Sequence, residues 1–341
     1  MRTPLDIIAK SGILAALPVL LSSCNLVVMA PSGDIAVQQR DLIVISTILM
    51  LLIVVPVIFL ILFFAWRYRQ SNTDAKYEPE WSHSTRLEVI IWAAPLTIIV
   101  ALGAITWIST HLLDPYRPLS RISATEKLAE NAKPLTVEVV ALDWKWLFFY
   151  PELGIATVNQ LAAPVNVPIN FKLTASSVMN SFYVPALAGQ IYAMPGMETK
   201  LHAVINHPGE YEGFSANYSG AGFSNMRFSF RGMEQGDFDA WVQTVKAGDE
   251  NLSREAYLDL AKPSEREPAR LYASADPELY NAILNMCADK STMCMSDMAM
   301  IDAGLICRAP PGTLSPVAAL APRQMPAAAR QSEPRAPGLS L

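Results

Sequence analysis

Residues 42 to 66 form an unbroken run of 25 positions without a charged side chain. A helix of that length, at about 1.5 Å per residue, spans the roughly 30 Å hydrocarbon layer of a bilayer. The run closes on Trp66-Arg67-Tyr68-Arg69, aromatic and basic anchors that suit a cytoplasmic interface. Pro56 lies inside it, which a membrane helix tolerates because neighbouring helices or waters re-satisfy the freed carbonyl. A second apolar segment, 87–108, carries one charge, Glu88, close to its start. The two segments predict a transmembrane hairpin with spans at 42–66 and 87–108. Its short cytoplasmic loop holds Arg67, Arg69, Lys76 and Arg86, and everything from about residue 110 onward is then periplasmic.

Ahead of the hairpin, Met1, Arg2 and Lys10 precede an apolar stretch from residue 13 to 21 that is too short to span. Such a segment reads as an export signal. It runs into Leu21-Ser22-Ser23-Cys24, which resembles the lipobox of bacterial lipoproteins, where the signal is cut before Cys and the thiol is acylated. The expectation is a signal peptide at 1–23 and a lipidated Cys24, palmitate being one candidate acyl group. An uncleaved leader making a third span would put the large C-terminal half in the opposite compartment, and Cys24 argues against it.

Composition fits a membrane protein: of 341 residues, 52% are apolar and 17% charged, with a mean hydropathy of +0.25. Twenty-six basic residues against 31 acidic ones leave a net charge of −5, which argues against a nucleic-acid partner. Four Cys and four His are too few for a disulfide-dense scaffold, a multi-finger zinc protein or a multi-haem cytochrome.

The outer half is predicted to be β. Val165, Val167, Ile169, Phe171 and Leu173 alternate with Asn166, Pro168, Asn170, Lys172 and Thr174, a period of two over ten residues. Leu135, Val137 and Val139 alternate likewise, as do Met226, Phe228 and Phe230. Several short strands separated by Gly and Pro clusters imply an antiparallel sandwich or barrel over 135–232. Helices are expected at 237–246, 253–261 and 278–287, in an extension reaching residue 307. The last residues, 308–341, carry seven prolines and are expected to be a disordered tail.

Two spans followed by a periplasmic sandwich resemble subunit II of the haem-copper respiratory oxidases, whose outer domain is a cupredoxin. The local text agrees: Ser82-His83-Ser84-Thr85-Arg86-Leu87-Glu88, Trp92 to Pro95, Thr106-Trp107, Asp143-Trp144-Lys145-Trp146, Val178 to Pro185, and Ser215-Ala216-Asn217-Tyr218-Ser219-Gly220. The likeness runs from residue 24 to about 290. The implied fold class is membrane-anchored all-β: a two-helix hairpin spanning 24–134 with its linker, a cupredoxin-like sandwich, and added C-terminal helices.

In the cytochrome c oxidase branch, subunit II binds a dinuclear copper centre through an early His and a run Cys-x-Glu-x-Cys-x-x-x-His-x-x-Met. That pattern falls here on Asn180 for the first His, Ser215 and Ser219 for the two Cys, Asn217 for Glu, Phe223 for the second His, and Met226 for Met. Only Met226 keeps a ligand. Serine hydroxyls are hard and do not replace bridging thiolates. The resemblance is therefore to the copperless ubiquinol oxidase branch of the cytochrome bo type. It implies a non-redox subunit of a proton-pumping inner-membrane complex that oxidises ubiquinol and reduces oxygen to water. No cofactor is expected in this chain, and haems and copper are expected in the partner subunit I.

The same resemblance gives Glu88 a proton-entry role, whereas an acid only two residues inside a span can instead snorkel to the interface. Trp144 and Trp146 are read as alternating on one strand with both indoles on one side, serving core packing or contact with subunit I. His83, His111, His202 and His207 have no metal-ligand spacing, and Ser215 and Ser219 lack a neighbouring His or Asp that would make a nucleophile. The sulfur-rich stretch Met286-Cys287, Met293-Cys294-Met295 and Met298, with Cys307 beyond, leaves three readings open: a disulfide with a spare thiol, no role, or a Cu(I) site. That last reading supports the alternative function, a stand-alone membrane-tethered copper-binding lipoprotein.

Overall fold

The computed structural model describes residues 26–304 apart from 77, 130 and 131, together with Gly312. Cys24, the 1–23 leader, Cys307 and, Gly312 apart, the 308–341 tail lie outside the described residues. The described chain divides into two compact units.

The first unit holds two long helices, α1 (Asp34–Arg67) and α2 (Thr85–Leu112). Each contains its expected span and overshoots it, α1 by eight residues at the N-terminal side. Pro56 and Pro95 sit inside their helices without ending them. None of the apolar window of either helix is buried within the chain, so these surfaces need a hydrocarbon or protein environment that water does not provide. The unit also takes in Val184–Gly189 and His202–His207 from later in the sequence. Ser32 and Gly33 N–H groups donate to Ala186 O (2.9 and 2.8 Å), and Asn206 N–H donates to Ser32 O at 2.9 Å.

At the start of α1, Asp34 is 4% exposed and accepts from Arg121 Nε at 2.8 Å and a second guanidinium nitrogen at 3.0 Å. Gln38 Nε2 donates to the same carboxylate at 2.8 Å. A carboxylate in the first turn also faces the positive end of the helix dipole.

The second unit is a sandwich of two sheets. Strands β1 (Leu135–Leu142), β2 (Lys145–Tyr150), β3 (Ile155–Val158), β5 (Ile169–Ala175), β8 (Thr199–Ala203) and β12 (Arg270–Tyr272) form one sheet in the order β12-β3-β2-β1-β5-β8. Strands β4 (Gln160–Pro164), β6 (Asn180–Tyr183), β7 (Ile191–Ala193), β9 (Gly209–Ser215) and β10 (Arg227–Met233) form the other in the order β4-β10-β9-β6-β7. β1 runs parallel to β5, and β10 runs parallel to β4. The sandwich is thus mixed and not antiparallel, because in both sheets strands distant in sequence lie side by side.

Between the sheets, Trp146, Phe148 and Phe171 of the first meet Phe182 and Phe228 of the second, with ring centroids 5.1 to 6.5 Å apart. Pairs of this kind add about 0.5–1.5 kcal/mol each beyond area burial. The Tyr150 hydroxyl joins the sheets by donating to Ala162 O and accepting from Ala162 N, both at 2.9 Å.

The opposite face of the first sheet is covered by the C-terminal elements. α3 (Gln235–Lys246), α4 (Arg254–Leu260), α5 (Leu279–Leu284) and α6 (Met295–Asp302) follow the sandwich, with a two-stranded ribbon of β11 (Asn251–Leu252) and β13 (Ser274–Ala275). Tyr257, Leu260, Leu279, Tyr280 and Ile283 pack in one core with Val140, Leu142, Leu147 and Phe149. Both faces of β2 are therefore buried, and all six of its residues are inaccessible.

Three further sequence expectations change. Val165 and Val167 belong to a turn in which Asn166 takes φ +59°, so the alternation begins only at Ile169. The helix expected at 278–287 stops at Leu284, because Met286 adopts φ +56° and Cys287 is bonded to Cys294. Trp144 is not on a strand: it sits in the β1–β2 turn at φ +67°, and only Trp146 lies on β2.

Candidate functional site

The loop 216–226 joins β9 to β10 and, with the last residue of β9 and the first residue of β6, gathers all six positions of the family's copper pattern. Ser215 and Asn180 lie on paired strands, and Ser215 Oγ is 3.1 Å from Asn180 Oδ1 and 3.2 Å from Asn217 O. Asn180 Nδ2 donates to Val178 O at 3.1 Å. Ser215 N–H donates to Met226 O at 3.1 Å, and the Met226 side chain is fully buried. Phe223 meets Tyr218 edge-on at 5.7 Å. Ser219 Oγ is buried and has no hydrogen-bond partner among the described residues.

Trp144 closes this loop. Its Nε1 donates to Ser219 O at 3.0 Å, and its ring lies so close to Gly222 that a Cβ there would come within 2.4 Å of it. A bulky residue at positive φ is strained, and the neighbouring side chain helps hold it. Lys145 is 1% exposed, with Nζ donating to Lys262 O at 2.9 Å and to Ser264 Oγ. Burial draws the Lys145 amine below its ordinary pKa, and Glu267 opposes that shift.

The expected positions are thus brought together, but as an amide, hydroxyl, phenyl and thioether set. Hard oxygen donors and one thioether do not fit a thiolate-bridged copper pair. Among the described residues, no three or more His, Cys, Asp or Glu side chains gather as a metal site needs.

Glu88 lies in the first turn of α2, its side chain 52% exposed. Its Oε1 is 2.5 Å from His83 Nδ1, and His83 Nε2 is 3.2 Å from Thr85 Oγ1. Sequence reading missed this pairing and the Asp34–Arg121 pair. His83 stands five residues before Glu88, just outside a helix start, and that spacing was the available signal. Nothing in the sequence links Asp34 to a residue 87 positions away. The sulfur-rich stretch contains a disulfide, between Cys287 and Cys294.

Comparison with known proteins places this geometry. Residues 150–232 match the family described as the periplasmic domain of cytochrome c oxidase subunit II, and 246–291 match the COX aromatic rich motif. Cytochrome bo(3) ubiquinol oxidase subunit 2 of Pseudomonas putida is 52% identical over 266 residues, covering 78% of this chain and 82% of that protein. Ubiquinol oxidase subunit 2 of Acetobacter aceti is 48% identical over 306 residues, covering 86% and 97%. The crystal structure of the periplasmic domain of subunit II of cytochrome oxidase of Bradyrhizobium japonicum aligns at 24% identity with a TM-score of 0.32, over 34% of this chain and 96% of that one. On the extent and identity of the first two matches, the chain belongs to the family of ubiquinol oxidase subunit 2.

Proposed function

We propose that this chain is the non-redox subunit II of a respiratory ubiquinol oxidase that reduces oxygen to water and pumps protons. One observation carries the reading: a family member at about half identity to ubiquinol oxidase subunits has hydroxyl and amide side chains at 180, 215 and 219 where a copper-bearing relative needs imidazole and thiolates. Electrons from a soluble cytochrome then have no port in this chain, and the oxidation of quinol and reduction of oxygen belong to a partner subunit carrying haems and copper. The work left to this chain is mechanical and protonic. α1 and α2 pack against the catalytic subunit in the inner membrane, the sandwich covers its periplasmic face, Cys24 carries a lipid, and Glu88 with His83 stands at the cytoplasmic mouth of a proton path.

The likeness to ubiquinol oxidase subunits favours this over a free-standing tethered copper binder. The apolar windows of the two helices are wholly unburied within the chain, which leaves them free to face lipid or a partner subunit. The deciding experiment is recovery of the tagged chain from solubilised membranes, followed by haem analysis and oxygen uptake. Co-purification of a haem-bearing subunit with uptake driven by ubiquinol and not by reduced cytochrome c is the expected result. Recovery of the chain alone, or uptake driven by cytochrome c, overturns the reading.

A further inference from the structure

The C-terminal extension concentrates sulfur on the surface. Five of the chain's 14 methionines fall between residues 286 and 300, and Met286 and Met295 are 49% and 39% exposed. Thioethers in water need a reason, since methionine ordinarily fills core gaps.

The two side chains converge on one point. A Cβ built on Gly196 would lie 2.9 Å from Met295 Sδ and 3.8 Å from Met286 Sδ. Gly196 itself takes φ +71°, so the absence of a side chain there both permits the turn and leaves room for the sulfurs.

The backbone holds this convergence at three places. Met286 adopts φ +56°, a conformation uncommon for a long side chain, and such outliers persist only where the surroundings over-determine them. Met286 and Met295 are each the chain neighbour of one half of the Cys287–Cys294 disulfide, whose Cα atoms are 4.8 Å apart. Met295 N–H donates to Asn285 O at 2.9 Å, tying the start of α6 to the residue before Met286.

We infer that Met286 and Met295, clamped by the disulfide and facing Gly196, form a surface site for a soft monovalent metal ion, Cu(I) or Ag(I). Polarizable thioethers select such ions over Zn(II), Mg(II) and Ca(II). With both cysteines oxidised, the site has no thiolate, so it binds weakly enough to exchange its ion. The inference concerns binding alone and holds whether or not the chain works within an oxidase.

The test uses the purified full chain with its native partners and Ag(I) as probe, which reports thioether binding without a change of oxidation state. Titration calorimetry compares the wild type with the double variant Met286→Leu/Met295→Leu, which keeps side-chain volume, and with Met179→Leu as a methionine-removing control. The wild type and the control are expected to bind one Ag(I) per chain at this site. The double variant should lose at least the roughly tenfold affinity that disturbing even an outer partner of a metal ligand costs. Retention of the disulfide and of the melting temperature in the double variant excludes misfolding. Equal Ag(I) affinity and stoichiometry in all three proteins overturns the inference, as does equally tight competition by Zn(II). If the double variant fails to fold, X-ray absorption of the Ag(I)-loaded wild type decides, with sulfur neighbours expected and an oxygen or nitrogen shell contradicting the site.

Discussion

At position 215 a serine hydroxyl stands beside a buried amide, and the consequence is energetic. Its single proton can serve either Asn180 Oδ1 or Asn217 O, so the hydroxyl is one link in a small polar set inside an apolar sandwich. Ser215→Ala leaves Asn180 Oδ1 short of that donor, and the stranded acceptor should cost about 1–3 kcal/mol. Thermal unfolding checks this, and a variant as stable as the wild type would show that water already serves the amide. Glu138 on β1 carries a different penalty. Burial pushes its carboxyl up to about 7, outweighing the attraction of Lys172 at 3.6 Å, while Glu198 adds to the rise. Its pKa is higher folded than unfolded, so between about 4.5 and 7 the folded state holds a proton that the unfolded state has released. Stability is then fullest below pH 4.5, falls as pH rises through that window, and levels off above it. The loss is at most about 3 kcal/mol for this group. Glu138→Gln should flatten that part of the pH profile of unfolding, and an unchanged slope would contradict the assignment.

The helices and strands show where sequence reading succeeds and where it stops. Both long helices were legible because an uncharged run of 25 residues, and a second of 22 with a single charge near its start, are long and apolar enough for a bilayer. β1 and β10 were legible because one face of each is more exposed, giving the alternation seen at Leu135, Val137 and Val139 and at Phe228 and Phe230. β2 was legible only in part: Trp146 is read as lying on a strand, but helices cover the outer face, so Lys145 and Trp146 are both buried and the period of two disappears. α6 escaped notice because Cys294 caps it without a side-chain hydrogen bond and its eight residues are rich in methionine. Five of the copper-pattern positions were legible as a set because their spacing over 215–226 is local, whereas Asn180, 35 residues earlier, joined them only through the family resemblance. The closing of that loop by Trp144 was not, because it depends on a positive φ and on a contact 75 residues away. Long-range pairing also sets the next prediction. Arg121→Ala strips the buried Asp34 of both guanidinium bonds at the start of α1. Loss of one partner of a buried pair costs about 3–5 kcal/mol, and the value here should sit near the lower end because the Arg121 side chain is 37% exposed. Limited proteolysis of the membrane-embedded variant should cut near residue 121 at lower protease concentration than in the wild type.

For the whole molecule, the two helices and the lipid proposed on Cys24 would differ in strength as anchors. Even anchoring through two acyl chains falls short of the effectively irreversible insertion of a spanning helix. With α1 and α2 both apolar over more than a bilayer's thickness, a lipid on Cys24 adds little to retention. Its proposed contribution is local, a tether ten residues ahead of α1 in the sequence. Cys24→Ser should therefore abolish fatty-acid labelling while the chain stays in the membrane pellet after an alkaline wash; release into the supernatant would mean that the helices do not span. Glu88 divides the roles in the same way. It is half exposed at a helix start and bonded to His83, so Glu88→Gln removes the carboxylate proposed as a proton site while keeping the side-chain volume. The variant complex should be recovered in undiminished yield but turn over oxygen more slowly. Equal turnover of variant and wild type would assign Glu88 to the interface alone, and lowered yield of the complex would make its role structural.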